Sequence, residues 1–583
     1  MNSFKSIYII VLIFGLTFNF SFSQKKTENI GSEVVNVVKP YTPTISDAFK
    51  VKETPSFDDE ETNKKENIQY NIFSFPVAST FTPAKGKAAN VEKSAPEKTF
   101  ANYATLGAGN YGTLNAELFL THKLNSSDYL GFMLRHLSSQ GGIKEALLKN
   151  SYYNTSADVT YGSRNKDMSW NADLGYQNQV YNWYGLLPDY YPQTTIDAIN
   201  PKQKYNNVYL GGKLGLSESI FKEASLKFNR FWDAFDSGEN HLVAKPEFNF
   251  EVSDYKIKTN FVLDYINGTF KKDYFDVAEI KYGYTNIGIQ PSVSYNKGDL
   301  SANLGMGAFY SMASNGGESK FYVYPQISAS YKVVGDLMIA YAGADGTLKQ
   351  NTYKDMVDEN FYVSPTLAIV PTSQAYDLFV GLKGKLANTV GYNIRGSLTQ
   401  ENNKALFINN SNFIPQPLVA NNYHYGNSFG VVYDNVKTIS FFGELKADVS
   451  KSVNLGINGT FSTYSMKNEH EAWNLPGINI ATFVNFDITK KWYAGLNVYF
   501  VGQRKDRITL INDTLSFPPT YTSTTVDLDS YFDVNLNLNY KYNDRLTFYL
   551  KGNNLANQKY QKWVNYPVQG IQGVIGANYK FDF

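Results

Sequence analysis

The chain has 583 residues, 43% of them apolar and 16% aromatic, with 45 Tyr, 40 Phe and no cysteine. The missing cysteine excludes disulfide staples, thiolate chemistry, cysteine-ligated metals and a lipidated N-terminal cysteine. The 54 Lys and Arg against 53 Asp and Glu leave no basic excess for a nucleic-acid partner. Beyond residue 24, no run supplies the ~20 apolar residues of a spanning helix.

In chain order, residues 1–23 read as a signal peptide: Lys5 is the basic flank, Ile7 to Phe20 the apolar region, and Ser21-Phe22-Ser23 a small-x-small cleavage site. Residues 24–100 read as an extended periplasmic tail, with charge clusters such as Asp58-Asp59-Glu60-Glu61 and scattered prolines. Two stretches inside it are rich in strand formers: Val34 to Phe49, with Val35, Val37, Tyr41, Ile45 and Phe49, and Ile68 to Phe81, with Phe73 and Phe75. These residues are candidates for periplasmic docking, on the barrel rim or on a partner. The alternative is a plain disordered tether.

From about Tyr103 the dominant signal is period-two alternation. Leu114, Ala116, Leu118 and Leu120 share one face and Thr113, Asn115, Glu117 and Thr121 the other, with Phe119 out of place on the polar side. The same pattern recurs at Leu300 to Ala308, Ile439 to Val449, Val453 to Phe461, Trp492 to Phe500 and Phe532 to Tyr540. One apolar face, maintained to residue 583 opposite Asn, Gly, Ser and charged residues, predicts an all-β fold: a transmembrane antiparallel outer-membrane β-barrel over 101–583. About 22 strands fit, within a range of about 18 to 24. Turn-like sites fall at Leu124 to Asp128, Asn296 to Asp299 and Tyr542 to Arg545. Helical periodicity is confined to short pieces such as Ile143 to Lys149.

Three long segments, Tyr181 to Asn206, Glu401 to Tyr425 and Arg504 to Asp527, read as outer loops. Their aromatics Trp183, Tyr184, Tyr190, Phe413 and Tyr521 are candidate partner-binding anchors, with outer-leaflet girdle residues as the alternative.

The last strand, Gly573 to Phe583, puts Ile575, Ala577, Tyr579, Phe581 and Phe583 on the lipid face. Arg545 to Tyr560, RLTFYLKGNNLANQKY, followed by the terminal GVIGANYKFDF, resembles the closing hairpin of TonB-dependent receptors, the 22-stranded outer-membrane transporters. In that family a terminal aromatic is the signal for barrel insertion, and the resemblance gives this role to Tyr579, Phe581 and Phe583. The leader, the Tyr and Asn richness and the absent cysteine look similar to proteins of the Bacteroidetes group. The family carries a plug of roughly 120 to 150 residues inside the barrel, and the stretch between Gln24 and Tyr103 is too short for one. Glu33 to Val38 resembles the box that contacts the inner-membrane energy transducer TonB.

No GxSxG, HExxH, P-loop or EF-hand motif occurs, and the five histidines are scattered. His122 and His136 flank one predicted hairpin and are expected to approach across the ladder, with no third ligand. No enzyme activity, cofactor or metal is expected. Expected partners are other outer-membrane or periplasmic proteins, lipid and lipopolysaccharide. The lumen of so wide a barrel needs a filler. The first reading is therefore an accessory or scaffold subunit of a larger outer-membrane complex, for barrel assembly, secretion or surface lipoproteins. The competing readings are a transporter or diffusion channel, or a surface receptor or adhesin.

Overall fold

The computed structural model describes residues 99–252, 255–412, 420–513 and 520–583. The expected signal peptide, the periplasmic tail with its docking residues, and Phe413 lie outside these. Alternating side chains between lipid and lumen leave each strand one apolar and one polar face, and closure leaves no strand edge in the membrane. The structure satisfies both conditions with a single 22-stranded antiparallel sheet in which each strand pairs with its neighbours along the ring. The first strand, Asn102–Gly109, closes the ring against the last, Gln572–Phe581, in a register running from Asn102 opposite Phe581 to Gly109 opposite Val574.

One end of the barrel has short turns, among them the expected ones after Lys123, Lys297 and Lys541. The other has long connections, which places it at the outer face by the general rule for these barrels. The lipid face carries exposed Leu106, Leu134, Leu174, Leu210, Leu226, Ile287, Leu304, Val380 and Ile575. Phe119, the residue that broke the alternation, pairs with Tyr103 and stacks on its ring at 5.6 Å on the lumen side. The lumen wall is polar and mixed in charge. Arg135 meets Asp158 at 3.3 Å, Tyr209 donates to the same carboxylate at 2.7 Å, and Arg395 pairs with buried Asp377.

Three sequence expectations are corrected. His122 pairs with Leu130 and His136 with Ala116, so the two histidines sit at different heights of the hairpin and do not meet. Ile143 to Lys149 forms no helix, because Ile143, Ala146 and Leu148 are drawn into a tertiary core instead. Arg504 to Asp527 is a two-stranded hairpin outside the ring, Arg504–Asp513 with Thr520–Leu528, rather than an irregular loop.

Candidate functional site

The site is the outer mouth, where the long connections converge. A 22-strand ring at ordinary strand spacing and tilt is roughly 40 Å across, so loops from opposite walls meet only by crossing the lumen. They do meet. Trp183 follows the strand Met168–Asn182 and Asn427 precedes the strand Phe429–Ser450, half the ring apart, and Asn427 Nδ2 donates to the Trp183 carbonyl at 2.9 Å. Beside them Tyr191 OH donates to the Tyr425 carbonyl at 2.9 Å.

The hub of this roof is Tyr566, from the connection before the last strand. Its ring stacks on Tyr362 at 3.7 Å and meets Tyr184 edge-on at 4.8 Å, and its hydroxyl donates to the Asn427 carbonyl. Tyr184 OH donates to the Pro567 carbonyl at 2.9 Å. Gly185 has to lack a side chain here, since a Cβ would lie 2.3 Å from the Tyr566 ring. Around the hub, Leu186, Ile196, Ile199, Met356, Val357, Val363, Leu367, Trp563 and Val564 form one buried apolar cluster with the inward-facing Tyr205, Phe231, Ile266 and Phe270 of the wall.

Residues 350–371 form a further roof segment, which sequence reasoning missed. Thr352 caps a short helix, Tyr353–Glu359, by accepting from the Asp355 N–H at 2.9 Å. This Thr-x-x-Asp spacing is a helix-start signature that was legible in the sequence. Tyr353 then fastens the helix to the wall: its N–H donates to Glu239 at 2.6 Å and its hydroxyl to Asp233 at 2.8 Å, while its ring packs on Phe231 and Phe270. Tyr205 OH donates to the Phe361 carbonyl at 3.0 Å. A single parallel bridge joins Val363 to Phe429.

The outer hairpin is tied in through Asp506, which accepts from the Asn409 N–H at 3.1 Å, and through Arg504, which donates to the Gln561 and Lys562 carbonyls. Burial raises the Asp506 carboxyl to about 6 and pulls the Lys562 ammonium down to about 8 against the opposing pull of Glu359. His424, edge-on to Tyr274 and Tyr423, is lowered to about 4 by burial and by Lys272.

Among the anchors expected to face a partner, Trp183 and Tyr184 are buried in the roof, where they hold loops to each other. The reason is the wide mouth, which large apolar side chains fill. Tyr190 is exposed at the outer surface, accepting from Asn412 Nδ2 at 2.6 Å, and Tyr521 is 69% exposed on the outer hairpin. Tyr579 and Phe583 are exposed at the closing strand, as expected of lipid-facing residues. Among the described residues, no three His, Asp or Glu side chains converge as a metal site.

No family model and no curated protein matches the sequence. Solved structures do match in fold. The copper transporter OprC aligns with TM-score 0.60 and 12% identity, covering 83% of this chain and 81% of that one. The FrpB iron transporter from Neisseria meningitidis aligns with TM-score 0.60 and 10% identity over 83% and 82%. The pyoverdine outer membrane receptor FpvA from Pseudomonas aeruginosa aligns with TM-score 0.58 and 12% identity over 84% and 80%. The fold is that of outer-membrane receptors and transporters. This places the barrel in the outer membrane and overturns the accessory-subunit reading, since the similar barrels are receptors and transporters in their own right. The tail, inward-folded outer loops and another protein were the candidate fillers of so wide a lumen, and in the structure the chain's own loops span the mouth.

Proposed function

We propose that this chain is an outer-membrane transporter or receptor that engages a solute at its outer face and admits it past a roof made of its own loops. The cross-lumen contact between Trp183 and Asn427, with Tyr566 between Tyr184 and Tyr362, carries the reading. A roof built of loops is a closure that can open, whereas a diffusion channel needs an open mouth. The transporters and the receptor similar in fold handle copper, iron and pyoverdine, so metal complexes are the first solute class to examine. A bare ion is the weaker choice, given the lack of a convergent ligand set among the described residues.

The reading is tested by conductance and liposome-swelling measurements on the purified full chain, with thermal-shift screening against metal chelates and small organic solutes. A non-conducting barrel stabilised by one solute class supports it. A permanently open pore, or a barrel that passes all solutes equally, refutes it. The tail residues Val35, Val37, Tyr41, Ile45, Phe49, Phe73 and Phe75 are proposed to dock a periplasmic partner. Deleting residues 24–100 is expected to abolish uptake without opening the barrel.

A further inference from the structure

On the lipid face of the barrel, across the strands Val390–Asn409, Phe429–Ser450, Val453–Met466 and Ile478–Asp487, lies a groove of about 640 Å³. Its wall is one row of cross-strand partners, Gly396, Phe441, Phe461 and Ile478, with Ile439 and Thr463 in the next row outward. The floor is open because Gly396 has no side chain: a Cβ there would meet nothing within 4 Å.

The height of the groove follows from the strand. On Phe429–Ser450 the exposed apolar residues run from Val449 through Leu445 and Phe441 to Ile439. At roughly 2.5 Å of height per residue for a tilted strand, this is about the 25 Å of a lipid-facing band. Ile439 therefore marks the outer limit of the band, and the groove occupies the outer-leaflet half. Past Phe461, Thr463 and Ser465, the neighbouring strand ends and Lys467 follows as its first cation, exposed at headgroup height.

We propose that this groove is a binding slot for one outer-leaflet lipid, a phosphorylated glycolipid of the lipopolysaccharide class, with an acyl chain against Gly396, Phe441 and Phe461 and a phosphate on Lys467. The groove is continuous with the lipid-facing belt, so its occupant is an acyl chain. The cation at its outer end matches an anionic headgroup, and Lys467 reaches it as long cationic side chains do at membrane interfaces.

Two glycines give a matched test. Gly396 and Gly443 both lie on the lipid face and both have open space where a Cβ would project, but only Gly396 lines the groove. The full chain is purified from outer membranes in mild detergent, and retained lipid is measured by native mass spectrometry after exhaustive washing. Folding of each variant is checked by heat-modifiable gel mobility. The unsubstituted barrel is expected to retain about one phosphorylated glycolipid. Gly396→Leu is expected to retain at least fivefold less, and Gly443→Leu the same amount as the unsubstituted barrel. Lys467→Gln is expected to lose severalfold of the phosphorylated lipid while retaining its dephosphorylated form unchanged. Equal retention by Gly396→Leu, or equal loss by Gly443→Leu, overturns the slot. An unchanged Lys467→Gln overturns the phosphate contact.

Discussion

Replacing Tyr566 with alanine tests whether the roof closes the barrel. The side chain is 1% exposed and packs against Tyr362 and Tyr184. Deleting a fully buried aromatic costs about 3 to 5 kcal/mol. The Asn427 carbonyl also loses its donor, which adds about 1 kcal/mol. Tyr566 belongs to no strand of the closed sheet, so the loss falls on the roof and leaves the barrel intact. A loss of about 4 kcal/mol shifts the roof's closing equilibrium by roughly a thousandfold. In planar bilayers, a barrel that opens rarely should become one with frequent large openings, while heat-modifiable mobility stays unchanged. Tyr184→Phe removes only the hydroxyl bond to Pro567 and should shift openings less than tenfold. A Tyr566→Ala barrel that folds and still does not conduct would show that the mouth is sealed by something other than this roof.

Further outcomes follow from the same geometry. Gly185→Ala, whose new Cβ would lie 2.3 Å from a ring held by stacking, should raise conductance in the same direction as Tyr566→Ala, read in the same bilayer assay. Acid should act on two roof groups with opposite sign. The raised pKa of Asp506 stabilises closure fully below about 4, and that gain is lost as pH rises through about 6. The lowered pKa of His424 stabilises closure above about 6.5, and that gain is lost as pH falls through about 4. Asp506→Asn should therefore open more readily on acidification from pH 7 to 4, and His424→Gln less readily, in conductance recorded across that range. In the wall, Asp377→Ala breaks the buried ion pair with Arg395 and should cost about 3 to 5 kcal/mol in barrel unfolding by urea, with much of it regained in Asp377→Leu with Arg395→Met. Phe583→Ala should lower the amount of barrel reaching the outer membrane severalfold, measured by fractionation, if the terminal aromatic has the insertion role its resemblance implies.

The barrel was legible in the sequence because lipid and water on opposite faces of each strand impose period two, and Leu300 to Ala308 or Phe532 to Tyr540 carry that imprint without help from distant residues. Even the exception was informative, since Phe119 faces the lumen to stack on Tyr103. The roof was not legible. Trp183 and Tyr184 looked like anchors for another protein because an apolar loop residue gives the same signal whatever it packs against. Their partners Asn427, Tyr362 and Tyr566 come from distant connections, and no local pattern couples them. His122 and His136 failed for a related reason: hairpin membership does not fix register, and the register sets them at different heights. The segment 350–371 was the recoverable part, through Thr352 and Asp355.

The size of the roof limits how it opens. About fifteen of its buried apolar side chains come from the loops themselves. At about 2 kcal/mol each, separating them all would cost roughly 30 kcal/mol, beyond the ~20 kcal/mol ceiling of non-covalent affinity. No solute can lift the whole roof, so opening has to be the displacement of one segment. The helix segment 350–371 is the poorer choice: it contributes Tyr353, Met356, Val357, Val363, Leu367 and Ile369 to the core and is bonded to Asp233 and Glu239. The segment around the small hairpin Gln561–Trp563 and Tyr566–Pro567 contributes only Trp563, Val564 and Tyr566. Its release costs roughly 6 kcal/mol of apolar burial on the same scale and about 4 kcal/mol more for its bonds with Arg504, Asn427 and Tyr184, within what nanomolar binding supplies. Because the chain has no cysteine, the two segments can be compared directly by maleimide labelling of single substitutions at equally buried valines. Val564→Cys should label faster than Val357→Cys, and faster still with a bound solute. If Val357→Cys labels as fast as Val564→Cys, the moving segment is not the one before the last strand, and the cost argument fails.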